Sequence, residues 1–265
     1  MLKTPYSLVA LVGLPRSGTT LVHRILATHS LVDGIVEPYQ SRRETEYSET
    51  QVTRLCADFD INPSTDRALL VKETTTRASN LELIFELLEN ARNEGIYTAL
   101  IVLFRSPFEA YLSQVEASRT LWKKKTMMEV DDQSFAQFAT MTLNSLEVIA
   151  RHGRAQHYRL VSYRKFCADL ECEIARLMGV FPLRYEPVQA TIHTQSPQGG
   201  DPKAYLKDRV IHSDRSMEVK KLLGELTETP LRRRMEMYQE FCNQVETMSD
   251  KDGIDRLSEL VIMGE

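Results

Sequence analysis

Residues Tyr6 to His29 read YSLVALVGLPRSGTTLVHRILATH. The apolar run Tyr6–Gly13 has the length and content of a buried strand, and TLVHRILATH, Thr20–His29, repeats its apolar residues at helical spacing. Between them Gly13 and Gly18 stand five apart, as in G-x-x-x-x-G-K-[ST], where backbone N–H groups at a strand-to-helix turn cradle phosphate. Thr19 occupies the position of the lysine. Without that lysine, nothing in the loop spans the β and γ phosphates of a triphosphate in the usual way. What remains is an anion site: the free N–H groups and dipole of a helix start, the hydroxyls of Ser17, Thr19 and Thr20, and the guanidinium fork of Arg16 after Pro15.

Outward from this stretch, short apolar runs alternate with helical periodicity, the pattern of a parallel sheet with crossover helices. Ala68–Glu73 (ALLVKE), Tyr97–Phe104 (YTALIVLF) and His157–Tyr163 (HYRLVSY) read as three further strands. Leu81, Ile84, Phe85 and Leu88 share one face of the helix after the second, and Pro107 suits the first turn of the helix after the third. Phe135–Ile149 reads as helix, and the helix carrying Ile174, Leu177 and Met178 ends near Gly179. Beyond Phe181 prolines and glycines mark a long irregular segment before helices around Met217–Leu226 and Leu231–Val245. The expected fold is α/β: a P-loop NTPase-like parallel sheet flanked by helices, with a helical C-terminal extension, in one domain over 1–265 whose core spans about 5–180.

The 265 residues are 42% hydrophobic and 26% charged, which suits a globular domain, and the net charge of −4 disfavours a general nucleic-acid binder. No stretch approaches the roughly 18 apolar residues of a membrane span. Cys56, Cys167, Cys172 and Cys242 lack C-x-x-C spacing, so reduced thiols and a cytoplasmic location are expected. None of the six histidines has zinc-ligand spacing, and no metal is expected. Arg232, Arg233 and Arg234 share a helix with Glu236 and Glu240 and read as a solvated face.

PRSGTT followed by a helix resembles the 5′-phosphosulfate loop of sulfotransferases that use 3′-phosphoadenosine 5′-phosphosulfate (PAPS), in the branch with arginine after the proline that includes tyrosylprotein-type and bacterial enzymes. In that family an arginine after a buried strand and a serine eight positions later hold the donor's 3′-phosphate; IVLFRSPFEAYLSQ supplies Arg105 and Ser113. An arginine leaving a strand's carboxyl end and a serine about two turns into the next helix can converge on one anion. RLVSYRKFCADLECEIARLMGV, Arg159–Val180, is similar to the family's stretch near the adenine, which implies that Tyr163 stacks on the base. QGGDPKAY, Gln198–Tyr205, resembles the loop that closes over the donor, with Lys203 reaching a phosphate.

Sulfuryl transfer needs a base for the acceptor hydroxyl and positive charge at the leaving phosphate. The resemblance implies Glu37, in VDGIVEPY and 21 residues after Arg16, as the base, and Lys72 with Arg16 as the stabilising charges. Glu73 and His193 remain alternative bases. The implied reaction moves a sulfuryl group from PAPS to a hydroxyl or amine of a small-molecule, carbohydrate, lipid or peptide acceptor. Trp122, Met127, Met128, Phe135 and Phe138 are candidates for an apolar acceptor pocket, against the commoner role of such residues in a core or lid. Two other classes share the loop's spacing: a P-loop small-molecule kinase, disfavoured by Thr19 and by basic strand ends at Lys72 and Arg105, and a non-catalytic nucleotide-binding protein. A homodimer through the terminal helices stays open.

Overall fold

The computed structural model describes residues 7–39, 48–74, 77–120, 129–154, 156–194 and 215–262. Its sheet has five parallel strands, β1 (Ser7–Gly13), β2 (Val32–Val36), β3 (Ala68–Thr74), β4 (Tyr97–Phe104) and β5 (Tyr158–Ser162), in the order β2-β3-β1-β4-β5. The helices are α1 (Thr19–Ala27), α2 (Val52–Asp58), α3 (Ala78–Asn93), α4 (Pro107–Thr120), α5 (Asp132–Gly153), α6 (Tyr163–Ala168), α7 (Leu170–Met178), α8 (Ser216–Glu225), α9 (Pro230–Gln244) and α10 (Asp250–Ile262), with a 3-10 helix at Pro187–Thr194.

Both faces of the sheet are covered, which is why β1 is apolar without alternation. Leu8, Ala10 and Val12 join Leu81 and Leu88 of α3, Leu146 of α5, Tyr238 of α9 and Leu257 of α10. Val9 and Leu11 point the other way, to Val22 and Ile25 of α1 and to Ile174 and Leu177 of α7. The C-terminal helices are built into the first of these cores: the Phe104 ring meets Phe241 edge-on at 5.1 Å, and a Cβ at Gly253 would lie 2.1 Å from Leu160.

Four of the five strands match the apolar runs read from sequence, and β2 does not. In VDGIV at the sheet edge only Val32 and Ile35 are buried while Gly34 and Val36 are exposed, and β3 is its single strand neighbour, so no continuous apolar run marks it. Helices α2 and α10 were likewise unanticipated. The helix expected after β5 is two, because Asp169 (φ −137°, ψ 68°) interrupts it between α6 and α7. Among the described residues no helix is long and apolar enough to cross a membrane.

Strand order decides where a ligand can sit. From β1 the chain passes by α1 to β2 and returns to β3, then crosses by α3 to β4 on the other side of β1. The carboxyl end of β1 is therefore the topological switch point, where open parallel sheets bind ligands.

Candidate active site

At that end the chain turns through Leu14–Gly18 into α1. The Ser17 N–H donates to the Leu14 carbonyl at 3.0 Å, and Arg16 and Gly18 adopt left-handed φ values of 65° and 100°. Both glycines are required by space. A Cβ on Gly13 would lie 2.7 Å from Ser17 Oγ and 2.9 Å from the Leu103 carbonyl, and one on Gly18 would lie 2.3 Å from the Tyr163 ring. No side chain caps the start of α1. Ser17 Oγ is fully buried and lacks a hydrogen-bond partner among the described residues. An uncapped helix start beside an orphaned hydroxyl is a cradle suited to an anion. Pro15 and Thr19 are buried and Thr20 half-buried around it.

Arg16, Arg105, Ser113 and Tyr163, separated widely in sequence, meet here. Arg16 Nε donates to Ser113 Oγ at 3.2 Å, and Arg105 Nη1 donates to the Arg16 carbonyl at 3.0 Å. The Arg105 guanidinium lies 4.7 Å above the centre of the Tyr163 ring, and the same ring abuts Gly18. Arg105 emerges just past β4 and Ser113 two turns into α4, while Tyr163 opens α6 directly after β5, so parallel strands in register bring all three to one edge. Tyr163 is 7% exposed, its ring held between loop and guanidinium. Arg105 Nε also donates to Glu109 Oε2 at 3.3 Å. Sequence reasoning missed Glu109, although its four-residue offset from Arg105 in Arg105–Glu109 is the spacing of a helical ion pair.

A second cluster sits beside β1 on β3. Lys72 lies opposite Leu11 of β1 and Val36 of β2, and its side chain is 1% exposed. Lys72 Nζ is paired with Glu37 Oε1. The Glu37 N–H donates to the Lys72 carbonyl at 2.7 Å, extending the β2–β3 ladder, and its left-handed φ of 51° turns the chain so that the carboxylate returns over the lysine. Such a φ is uncommon outside glycine. Glu73, fully buried, points to the opposite face and accepts the Tyr39 N–H at 3.0 Å.

His23 of α1 completes this cluster. It is 4% exposed, and neither ring nitrogen has a hydrogen-bond partner of full geometry among the described residues. Gly34 makes room for it, since a Cβ there would lie 2.7 Å from the ring. Burial, reinforced by the Lys72 charge, lowers its pKa to about 4, so the ring is neutral near pH 7. His29 is committed elsewhere: its Nδ1 accepts the Leu31 N–H at 3.0 Å while Nε2 lies 2.9 Å from the Arg184 carbonyl.

His193 falls in the 3-10 helix, and Lys203, Trp122, Met127 and Met128 lie outside the described residues. Phe135 and Phe138 are core residues packed on Tyr111, with ring centroids at 5.3 and 5.5 Å, and so do not line an acceptor pocket. Of the three arginines expected on a solvated face, Arg233 pairs with Glu228 on exposed surface, Arg232 is mostly covered and pairs with Glu236, and Arg234 Nε is buried without a hydrogen-bond partner among the described residues, so only part of that expectation holds.

A sequence model of the sulfotransferase family matches residues 9–57, the span from β1 through the loop, β2 and most of α2. Three solved structures share the fold. The sulfotransferase domain of the Synechococcus PCC 7002 olefin synthase aligns over 90% of this chain and 94% of its own length, at 15% identity and TM-score 0.58. The sulfotransferase domain of the curacin biosynthetic pathway aligns over 90% and 97%, at 14% and 0.54. Mouse sulfotransferase SULT7A1, solved with PAP (3′-phosphoadenosine 5′-phosphate), aligns over 97% and 90%, at 11% and 0.53. No curated protein sequence matches the chain. The resemblance read from PRSGTT is thus borne out by the family match across that loop and by a parallel α/β fold shared with sulfotransferases.

Proposed function

We propose that this chain is a sulfotransferase that moves the sulfuryl group of PAPS to an acceptor hydroxyl or amine by in-line displacement, as one cytoplasmic domain over residues 1–265. The observation that carries this proposal is the convergence of Arg16, Arg105, Ser113 and Tyr163 around a phosphate loop with threonine in place of lysine.

The residues present fit the donor. The loop 13–20 offers N–H groups and the orphaned Ser17 hydroxyl to its 5′ phosphosulfate, and Arg105 with Ser113 offers donors to its 3′-phosphate. In this assignment Arg105 exchanges the Glu109 carboxylate for the phosphate, and Tyr163 braces Arg105 against Gly18. Adenine stacking on Tyr163 requires Arg105 to uncover the ring. Lys203 is proposed, from the resemblance alone, as a further contact to a donor phosphate.

When bound, the donor supplies an activated sulfuryl group whose leaving group is a phosphate. Glu37 accepts the acceptor's hydroxyl proton as that oxygen bonds to sulfur. Arg16 and Lys72 take up the charge left on the 5′-phosphate oxygen when its bond to sulfur breaks. The Lys72–Glu37 pair couples these events: once Glu37 is protonated, the buried ammonium has lost its counter-ion and is drawn to the new anion.

Calorimetry without magnesium, comparing PAP with ATP in wild type and Arg105→Ala, tests the proposal. PAP is expected to bind in preference to ATP and to weaken at least tenfold on removal of Arg105. Preference for ATP, or indifference to Arg105, would overturn it in favour of a kinase-like site.

A further inference from the structure

A cavity of about 520 Å³ opens between the N-terminal end of α3 and the first half of α5, lined by Arg77, Gln137, Thr140, Met141 and Asn144 together with two alanines. Its volume falls within the range of about 300–1,000 Å³ of small-molecule sites. None of the residues assigned to the donor or to proton transfer lines it.

Its chemistry is unusual for such a cavity. Arg77 is exposed and its guanidinium makes no ion pair or hydrogen bond among the described residues. Arginines elsewhere on the same two helices are tied down: Arg92 to Gln156, and Arg151 to Glu147 and Glu82. On α5 the exposed face changes character along its length. Toward the C-terminus it carries the charged Glu147 and Arg151, whereas Gln137, Thr140 and Asn144, three and four residues apart, present one face of uncharged hydrogen-bonding groups. No acidic residue lines the cavity, and Met141, the alanines and the aliphatic parts of the other side chains make most of its surface apolar. A cation beside a row of neutral amides and a hydroxyl suits a ligand with many hydroxyls and an anionic group.

The cavity is also within reach of the chemistry. Arg77 is five residues beyond Lys72, so their Cα atoms are no more than about 18 Å apart. Lys72 and Glu37 lie on the α1 face of the sheet and the cavity on the α3–α5 face, so an acceptor that joins them is extended and passes over the carboxyl edge of β3.

We propose that the α3–α5 cavity is the acceptor subsite and that it takes an acidic oligosaccharide, Arg77 pairing with a carboxylate and Gln137, Thr140 and Asn144 with ring hydroxyls. The proposal rests on the sulfotransferase assignment for its role as an acceptor site. The test titrates an oligosaccharide of alternating glucuronic acid and N-acetylhexosamine into the full chain, with and without saturating PAP. The same chain with its uronates reduced to glucose, 4-nitrophenol and a tyrosine-containing acidic peptide are run beside it. The expected result is salt-sensitive binding of the acidic oligosaccharide that weakens about tenfold in Arg77→Ala, weakens similarly in wild type on carboxyl reduction, and falls further in Gln137→Ala/Asn144→Ala. PAP affinity is expected to be unchanged in these variants. No oligosaccharide binding, binding indifferent to Arg77, or preferential binding of the phenol or the peptide overturns the inference. Failure of PAP to bind, with oligosaccharide binding intact and Arg77-dependent, would instead overturn the donor assignment and leave the cavity a carbohydrate site.

Discussion

Acidification should unfold this protein in a way traceable to one imidazole. His23 is buried against Gly34 with Lys72 and Arg24 disfavouring its protonation and Glu37 and the Leu70 carbonyl favouring it, and the balance lowers its pKa from 6.5 to about 4. Between those values the unfolded chain binds a proton that the folded chain refuses, so stability is complete above pH 6.5 and is lost as pH falls toward 4. A shift of this size corresponds to about 3 kcal/mol, at 1.36 kcal/mol per pH unit. Urea unfolding of wild type and His23→Leu across pH 7.5 to 4 measures it. Carboxylates common to both proteins titrate in the same range, so the informative quantity is the difference between the two curves, which should change by about 3 kcal/mol in favour of the variant on acidification. Parallel curves, or a His23 imidazole that titrates near 6.5 by NMR in the folded protein, would refute the reasoning. The functional corollary is that His23 adds no positive charge beside Glu37 near pH 7.

Two further outcomes follow from the donor cluster. Glu109→Gln removes the carboxylate that engages Arg105 and should tighten PAP binding about fivefold, roughly 1 kcal/mol, by calorimetry; unchanged or weaker binding would show that Glu109 positions the arginine and does not compete for it. Gly18→Ala puts a Cβ into the Tyr163 ring at a left-handed φ of 100° and should lower stability by about 1–2 kcal/mol from the backbone alone, with loss of PAP binding as Tyr163 and Arg105 shift, so a variant with wild-type Tm and PAP affinity counts against the assigned loop.

Three of the four strands legible in the sequence are buried on both faces, and the fourth, β5, is an edge strand whose Leu160–Ser162 end is buried. β1, β3 and β4 are continuous apolar runs because helices cover each side, and that reading located the loop, Lys72 and Arg105 at one edge. β2 was not legible, because Asp33 and Gly34 break its apolar run and half of it faces solvent or a ligand edge. The cost of missing it falls on the site. Without β2 nothing in the sequence says that Val36 lies opposite Lys72, so the pairing of Lys72 with Glu37 could not be read even though both residues were singled out. Gly34 shows the same limit: its lack of a side chain matters only because His23, eleven residues earlier on another element, needs the space. Arg105 and Ser113 were legible as a spacing, but their meeting through Arg16 depends on strand register.

That register also separates the two carboxylates competing for the role of base. Neighbours on a strand face opposite ways, so Lys72 goes under α1, where Glu37 and His23 sit, and Glu73 goes toward the α3 side, where it holds the Tyr39 N–H. Glu73 thus has a backbone task that an amide oxygen can perform equally well, whereas Glu37 is a quarter exposed beside a buried ammonium, open to an acceptor on one side and charged on the other. Glu73→Gln should retain kcat and most stability, and Glu73→Ala should lose about 1–3 kcal/mol by leaving a buried N–H unpaired. Glu37→Gln should lower kcat by about 10²–10⁴ while PAP still binds. Steady-state rates with PAPS and a reactive acceptor, alongside calorimetric PAP binding, distinguish them. If Glu73→Gln is the variant that loses turnover while Glu37→Gln retains it, proton transfer runs on the other face of β3 and the Lys72–Glu37 pair is an architectural contact.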